Sequence, residues 1–146
     1  MRKKTGIILL AAIMILTLVP STTFASNHED TEFSFYLTNS TSQVNTQGRA
    51  KQNSTSTYVN LSAVPTGFIN LDVQGFRPIS STGTNQWRNE TIGGTVTVST
   101  GQWLVRQLVF EHGGRSARLR FSRYGGNGAI AGEWSPDSVG SYRYAN

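Results

Sequence analysis

Apolar and polar residues are distributed along this chain in two regimes. From Ile7 to Val19 the residues are apolar apart from Thr17, preceded by Arg2, Lys3 and Lys4 and followed by Pro20. A basic start, an apolar stretch of about 13 residues and small residues at Thr23 and Ala25 form the pattern of a cleaved secretory leader. The stretch is shorter than the roughly 20 residues that span a bilayer. The sequence therefore predicts a leader over 1–25 and an exported domain over 26–146 that does not span a membrane.

After residue 25 the pattern changes to period 2. Glu32 to Thr38 alternates, with Phe33, Phe35 and Leu37 on one side and Ser34 and Tyr36 on the other. That is a half-buried strand, preceded by a polar, frayed start over 26–31. Residues 38–57 are almost entirely polar. They read as edge strands or loop around Gly48, with Arg49 and Lys51 facing solvent. Tyr58 to Val64 forms a strand stopped by Pro65-Thr66-Gly67. Phe68 to Phe76 places Ile69, Leu71 and Val73 opposite Asn70, Asp72 and Gln74. A short strand over Gln86 to Glu90 carries Trp87, and Gly93-Gly94 turns into Thr95 to Thr100.

Gln102 to Glu111 reads as the longest strand, returning through Gly113-Gly114 into Ser116 to Phe121. Two glycines can both adopt the positive φ of a primed hairpin turn. Pairing in that hairpin would set Val109 opposite Arg118 and Gln107 opposite Arg120, leaving Arg106 on the apolar face. Ala129 to Trp134 is the last strand, and Ser135-Pro136-Asp137-Ser138 reads as a type I turn with Asp137 serving the turn. Seven to nine short strands with frequent turn signals predict an all-β single domain, an antiparallel sandwich or small barrel.

Charge refines this picture. The full chain has 13 basic and 8 acidic residues, but three of the basic ones lie in the leader. The domain is thus only mildly cationic, well short of the footprint of a specific nucleic-acid binder. Its cations gather late, at Arg106, Arg115, Arg118, Arg120, Arg123 and Arg143. Arg118 and Arg120 share a strand face by the period-2 rule. With Arg106, Arg123, Arg143 and the aromatic Tyr124 and Tyr142, they are the candidate binding residues. An anionic cell-envelope polymer or an extracellular protein is the expected partner.

Catalytic chemistry is not legible. The chain has no cysteine, which excludes disulfides and thiolate chemistry. His28 and His112 lack metal-ligand spacing, and no nucleophile elbow or phosphate loop is present. Asp72 and Glu111 are the strand-borne carboxylates that could face each other across a cleft. The expectation is a non-enzymatic protein with no cofactor and no metal. The competing class is a secreted antagonist, a bacteriocin-like toxin or an inhibitor of an extracellular enzyme.

The segment Gly132-Glu133-Trp134-Ser135-Pro136-Asp137-Ser138, with Phe33-Ser34-Phe35 and Ala117-Arg118-Leu119-Arg120, resembles small exported Gram-positive proteins that are β-rich and uncharacterised. The resemblance implies an exported all-β protein and carries no catalytic residues with it.

Overall fold

The computed structural model describes residues 26–146, so the leader predicted over 1–25 lies outside the described residues. Ten strands follow in chain order: β1 (Thr31–Leu37), β2 (Gln43–Asn45), β3 (Arg49–Ala50), β4 (Thr57–Ala63), β5 (Ile69–Pro78), β6 (Asn85–Asn89), β7 (Val96–Val98), β8 (Gly101–Val105), β9 (Ser116–Arg123) and β10 (Gly128–Ser135). They form two antiparallel sheets. The first has the order β1-β10-β4-β8. The second runs β2-β9-β5-β6, with β3 also on β9 and β7 also on β5. The sheets curl over one apolar core as a half-barrel or sandwich, which is the all-β class that the period-2 pattern predicts.

The alternation explains which side each strand buries. Along β9 Ala117, Leu119 and Phe121 are fully buried, while Ser116, Arg118, Arg120 and Ser122 are half-exposed. Leu71 and Val73 of β5 lie directly opposite Phe121 and Leu119 and share their side. Val59, Leu61, Ile130 and Trp134 supply the facing layer from the first sheet. Each large side chain buried in this way contributes about 1.5–3 kcal/mol against exposure.

Four expectations are corrected. The first concerns Gln102 to Glu111, which does not continue as one strand into a hairpin with β9. β8 ends at Val105 and pairs β4 in the first sheet, whereas β9 belongs to the second. The chain crosses between sheets at Gln107, whose buried amide accepts from the Val109 N–H at 2.8 Å and donates to the Thr55 carbonyl at 2.9 Å. A helical turn follows, with His112 N–H bonded to the Leu108 carbonyl and Gly114 N–H to that of Val109. Only Gly113 of the glycine pair takes positive φ, 83°, so no primed two-residue turn forms. Arg106 consequently lies exposed rather than on the apolar face.

The second correction is Lys51. Instead of facing solvent it is 1% exposed, and its ammonium bonds the carbonyls of Thr55 and Pro136 and, at 2.7 Å, the carboxylate of Asp137. The third is Asp137 itself, which does more than serve a turn. Fully buried, it also accepts from the N–H groups of Asn27, Gln52 and Asn53. The fourth follows from this: the start of the domain is pinned at Asn27, not frayed. Arg49 is likewise half-buried, bonded to the Trp134 carbonyl and to Asn27 and lying over the Trp134 ring.

The resembling segment at 132–138 is thus a structural clasp. Register shifts between Ala131 and Gly132 against β4, and a Cβ on Gly132 would lie 2.0 Å from the Asn60 carbonyl oxygen. Only glycine allows that approach. Trp134 fills the core, and Pro136 and Asp137 close on Lys51.

Candidate functional site

The outer face of the second sheet carries the arginine stripe. Arg118 stands opposite Gln74 and Arg120 opposite Asp72 on β5, with Asn45 of β2 on the far side of Arg120. These are not the partners that the expected hairpin supplied. Arg120 holds Asp72 through Nε at 2.7 Å and through a second nitrogen, and Asn89 donates to the other carboxylate oxygen at 3.1 Å. Asp72 and Gln74 are buried although they point outward, because the guanidinium groups lie over them. The charge of Arg120 is therefore neutralised.

Arg118 is different. Its Nε donates to the Gln74 amide oxygen at 2.8 Å, and its guanidinium sits 4.3 Å from the centre of the Trp87 ring. Among the described residues no carboxylate lies within ion-pair distance of it. Burial pushes its pKa below the usual arginine value, and the neighbouring charge of Arg120 pushes the same way. Trp87 in turn packs against Phe76 at 5.1 Å and against the backbone of Gly48, where a Cβ would come within 2.7 Å of the ring. The face thus presents one unneutralised cation on a fixed aromatic and amide bed.

The other candidate residues fall elsewhere. Arg123 has the parity of Leu119 and Phe121, not of Arg118. It turns to the rim, where it bonds the Gly125 and Thr38 carbonyls and, at 2.7 Å, the Asn39 side chain. Tyr124 is exposed and packs against exposed Phe68 at 5.8 Å. Arg106, Tyr142 and Arg143 lie away from the arginine face, where the C-terminal tail runs beside β8. Arg106 lies over Tyr144, Arg143 over Trp103 at 3.5 Å, and Tyr142 against Tyr58. The chain there runs alongside β8, with Leu104 N–H bonded to the Arg143 carbonyl and Ala145 N–H to that of Leu104.

The carboxylates are arranged otherwise than Asp72 and Glu111 suggested, since Glu111 lies in the exposed turn and Asp72 under Arg120. Glu32 of β1 and Glu133 of β10 are directly opposed and line a shallow hollow of about 390 Å³. Asn60 donates to Glu133 at 3.0 Å. Buried Glu90 is bonded by Arg77 and, at 2.6 Å, by Nδ1 of His112, so His112 is more than a turn residue. Among the described residues no three histidine or acidic side chains converge as metal ligands would. Sequence reading missed Asp72, Gln74, Trp87 and Asn89 as the bed of the arginine face. The outward parity of Asp72 and Gln74 was visible, but not the strand they pair with.

Curled antiparallel sheets with a polar, arginine-bearing outer face define a small all-β protein. The chain belongs to the DUF2712 family of proteins of unknown function, which matches residues 21–138. That match ends with Ser138, the last residue of the clasp, and leaves the strand-like tail along β8 outside. No curated protein and no solved structure matches the chain.

Proposed function

We propose that this protein works outside a Gram-positive cell as a non-enzymatic binder of an anionic envelope polymer, with the outer face of the six-stranded sheet as its contact. The leader pattern over 1–25 supports export, and the likeness of the Gly132–Ser138 segment to exported Gram-positive proteins supports the compartment. The observation that carries the reading is Arg118. A part-buried guanidinium normally finds a carboxylate, because removing charge from water costs more than a neutral hydrogen bond returns. Here the amide of Gln74 and the ring of Trp87 hold it in place without cancelling its charge. An incoming phosphate or carboxylate would complete the set, through the planar fork that suits such anions.

Co-sedimentation of the purified protein with isolated Gram-positive cell walls tests this. Binding should fall as salt rises from about 0.05 to 0.5 M, since screening weakens exposed charge contacts first. Arg118→Gln should weaken it further. Binding indifferent to both, or no binding at low salt, would remove the proposal.

A further inference from the structure

The two sheets leave one side open. β1 is outermost in the first sheet, paired only to β10, while β2 and β3 are outermost on β9 in the second. Residues 38–42 join β1 to β2, so the two edges start together near Leu37. Toward Thr31 a groove of about 460 Å³ separates them, with Thr31 to Phe35 on one wall, Thr46 to Arg49 on the other, and buried Trp134 between.

Every second residue of an edge strand turns its N–H and C=O away from its neighbour. Among the described residues no hydrogen bond beyond the β10 ladder reaches the main chain of Thr31–Leu37. Such a row is a template for another extended chain, and edges are commonly blunted by lysine, proline or a bulge. β1 has none of these: its sequence is Thr-Glu-Phe-Ser-Phe-Tyr-Leu and its register with β10 is unbroken. The opposite edge of the same sheet is treated differently, because the 142–146 segment runs along β8 and bonds to it. One edge is covered and the other is left open beside a groove that Phe33, Phe35 and Trp134 line among polar residues.

Charge favours one kind of occupant. Glu29, Asp30 and Glu32 lie exposed at the Thr31 end. The lining cation, Arg49, held by the Trp134 carbonyl and Asn27, offsets only one of these three negative charges. We infer that the groove accepts an extended peptide strand from a partner protein, added to the free edge of β1, with apolar side chains toward Phe33 and Phe35 and a basic residue beside Glu29, Asp30 and Glu32. This is strand addition, in which main-chain bonds give affinity and alternate side chains give selectivity. It rests on the β1 edge and stands apart from the arginine face.

Titration with the synthetic peptide Lys-Val-Thr-Val-Thr-Val-Lys, capped at both ends, tests it by NMR-detected amide exchange. Alternate amides of Thr31–Leu37 should exchange more slowly at saturation. The peptide should bind about fivefold tighter than its Glu-ended counterpart at low salt, a ratio that Glu32→Lys should reduce. A fully N-methylated peptide should not bind. Unchanged β1 exchange at high peptide concentration, or equal binding of the N-methylated peptide, would overturn the inference. Slow exchange without peptide, accompanied by a dimer mass, would overturn it in favour of a second copy of this chain.

Discussion

Lys51 and Asp137 lie 2.7 Å apart, both side chains sealed from solvent and 86 residues apart in sequence. All their partners are chain atoms: Thr55 and Pro136 carbonyls for the ammonium, and the Asn27, Gln52 and Asn53 N–H groups for the carboxylate. The pair therefore fixes three chain segments at once. Lys51→Met would leave Asp137 charged and buried with only amide donors, at a cost of about 3–5 kcal/mol. Denaturant unfolding should show this as a large fall in midpoint. A loss below about 1 kcal/mol would mean that the carboxylate does not depend on Lys51.

Gly132 gives a second, steric prediction. With a Cβ placed 2.0 Å from the Asn60 carbonyl oxygen, Gly132→Ala must push β10 away from β4 at the register shift. Overpacking of this kind costs about 1–3 kcal/mol. Thermal unfolding checks it, and an unchanged Tm would show that the bulge has slack.

The two outward arginines should behave differently. Arg120→Ala strips Asp72 of its counter-charge and should lower stability by about 2 kcal/mol, the usual cost of orphaning a buried carboxylate discounted for the partial exposure of Arg120. Arg118→Gln removes no ion pair and should leave the unfolding midpoint nearly unchanged while weakening polymer binding. Equal stability losses would show that the two residues are equivalent.

Alkaline titration separates two buried groups with opposite signs. Burial raises the Tyr58 pKa, opposed by its hydrogen bond to Gln102. Above about pH 10 the unfolded chain loses that proton first, so stability falls as pH rises through this range. Burial lowers the Lys51 pKa, opposed by Asp137. Between that lowered value and about 10.4 the unfolded chain binds the extra proton, so this contribution rises with pH. Tyr58→Phe should therefore flatten the alkaline loss of unfolding free energy, measured by urea melts from about pH 9 to 11. A steeper loss in the variant would reverse the assignment.

Much of the fold was legible because five strands carry their inward apolar residues at every second position. β1, β4, β5, β9 and β10 all fall where Phe33, Val59, Leu71, Leu119 and Ile130 repeat at period 2. Pairing was less legible, since partners depend on where the chain changes sheet. Apolar residues resume at Leu108 and Val109 in the same period as Leu104 and Val105, with Arg106 out of place between them, and the crossing is made by the Gln107 side chain, a hydrogen-bonding choice that periodicity does not register. Lys51 was misplaced for a related reason. A lone lysine in a polar tract looks solvated until an acid from the far end of the chain is brought against it. At the site, parity put Arg118 and Arg120 on one face, but Arg123, grouped with them as a candidate, has the opposite parity and turns to the rim. Asp72, which cancels one of the two charges, required the β5–β9 register.

The pairing of Thr31 with Trp134 also sets a timetable. β1 is the first strand to be made among those described, and its only strand partner is the last. At the usual pace of about 5–20 residues per second, β1 waits on the order of 5–20 s for β10 to emerge. During that interval β1 has no strand partner, although β4 and β8 of the same sheet can already pair. The four-stranded sheet is complete only once β10 joins β1 to β4, and the contact of Asp137 with Lys51 closes at the same late moment.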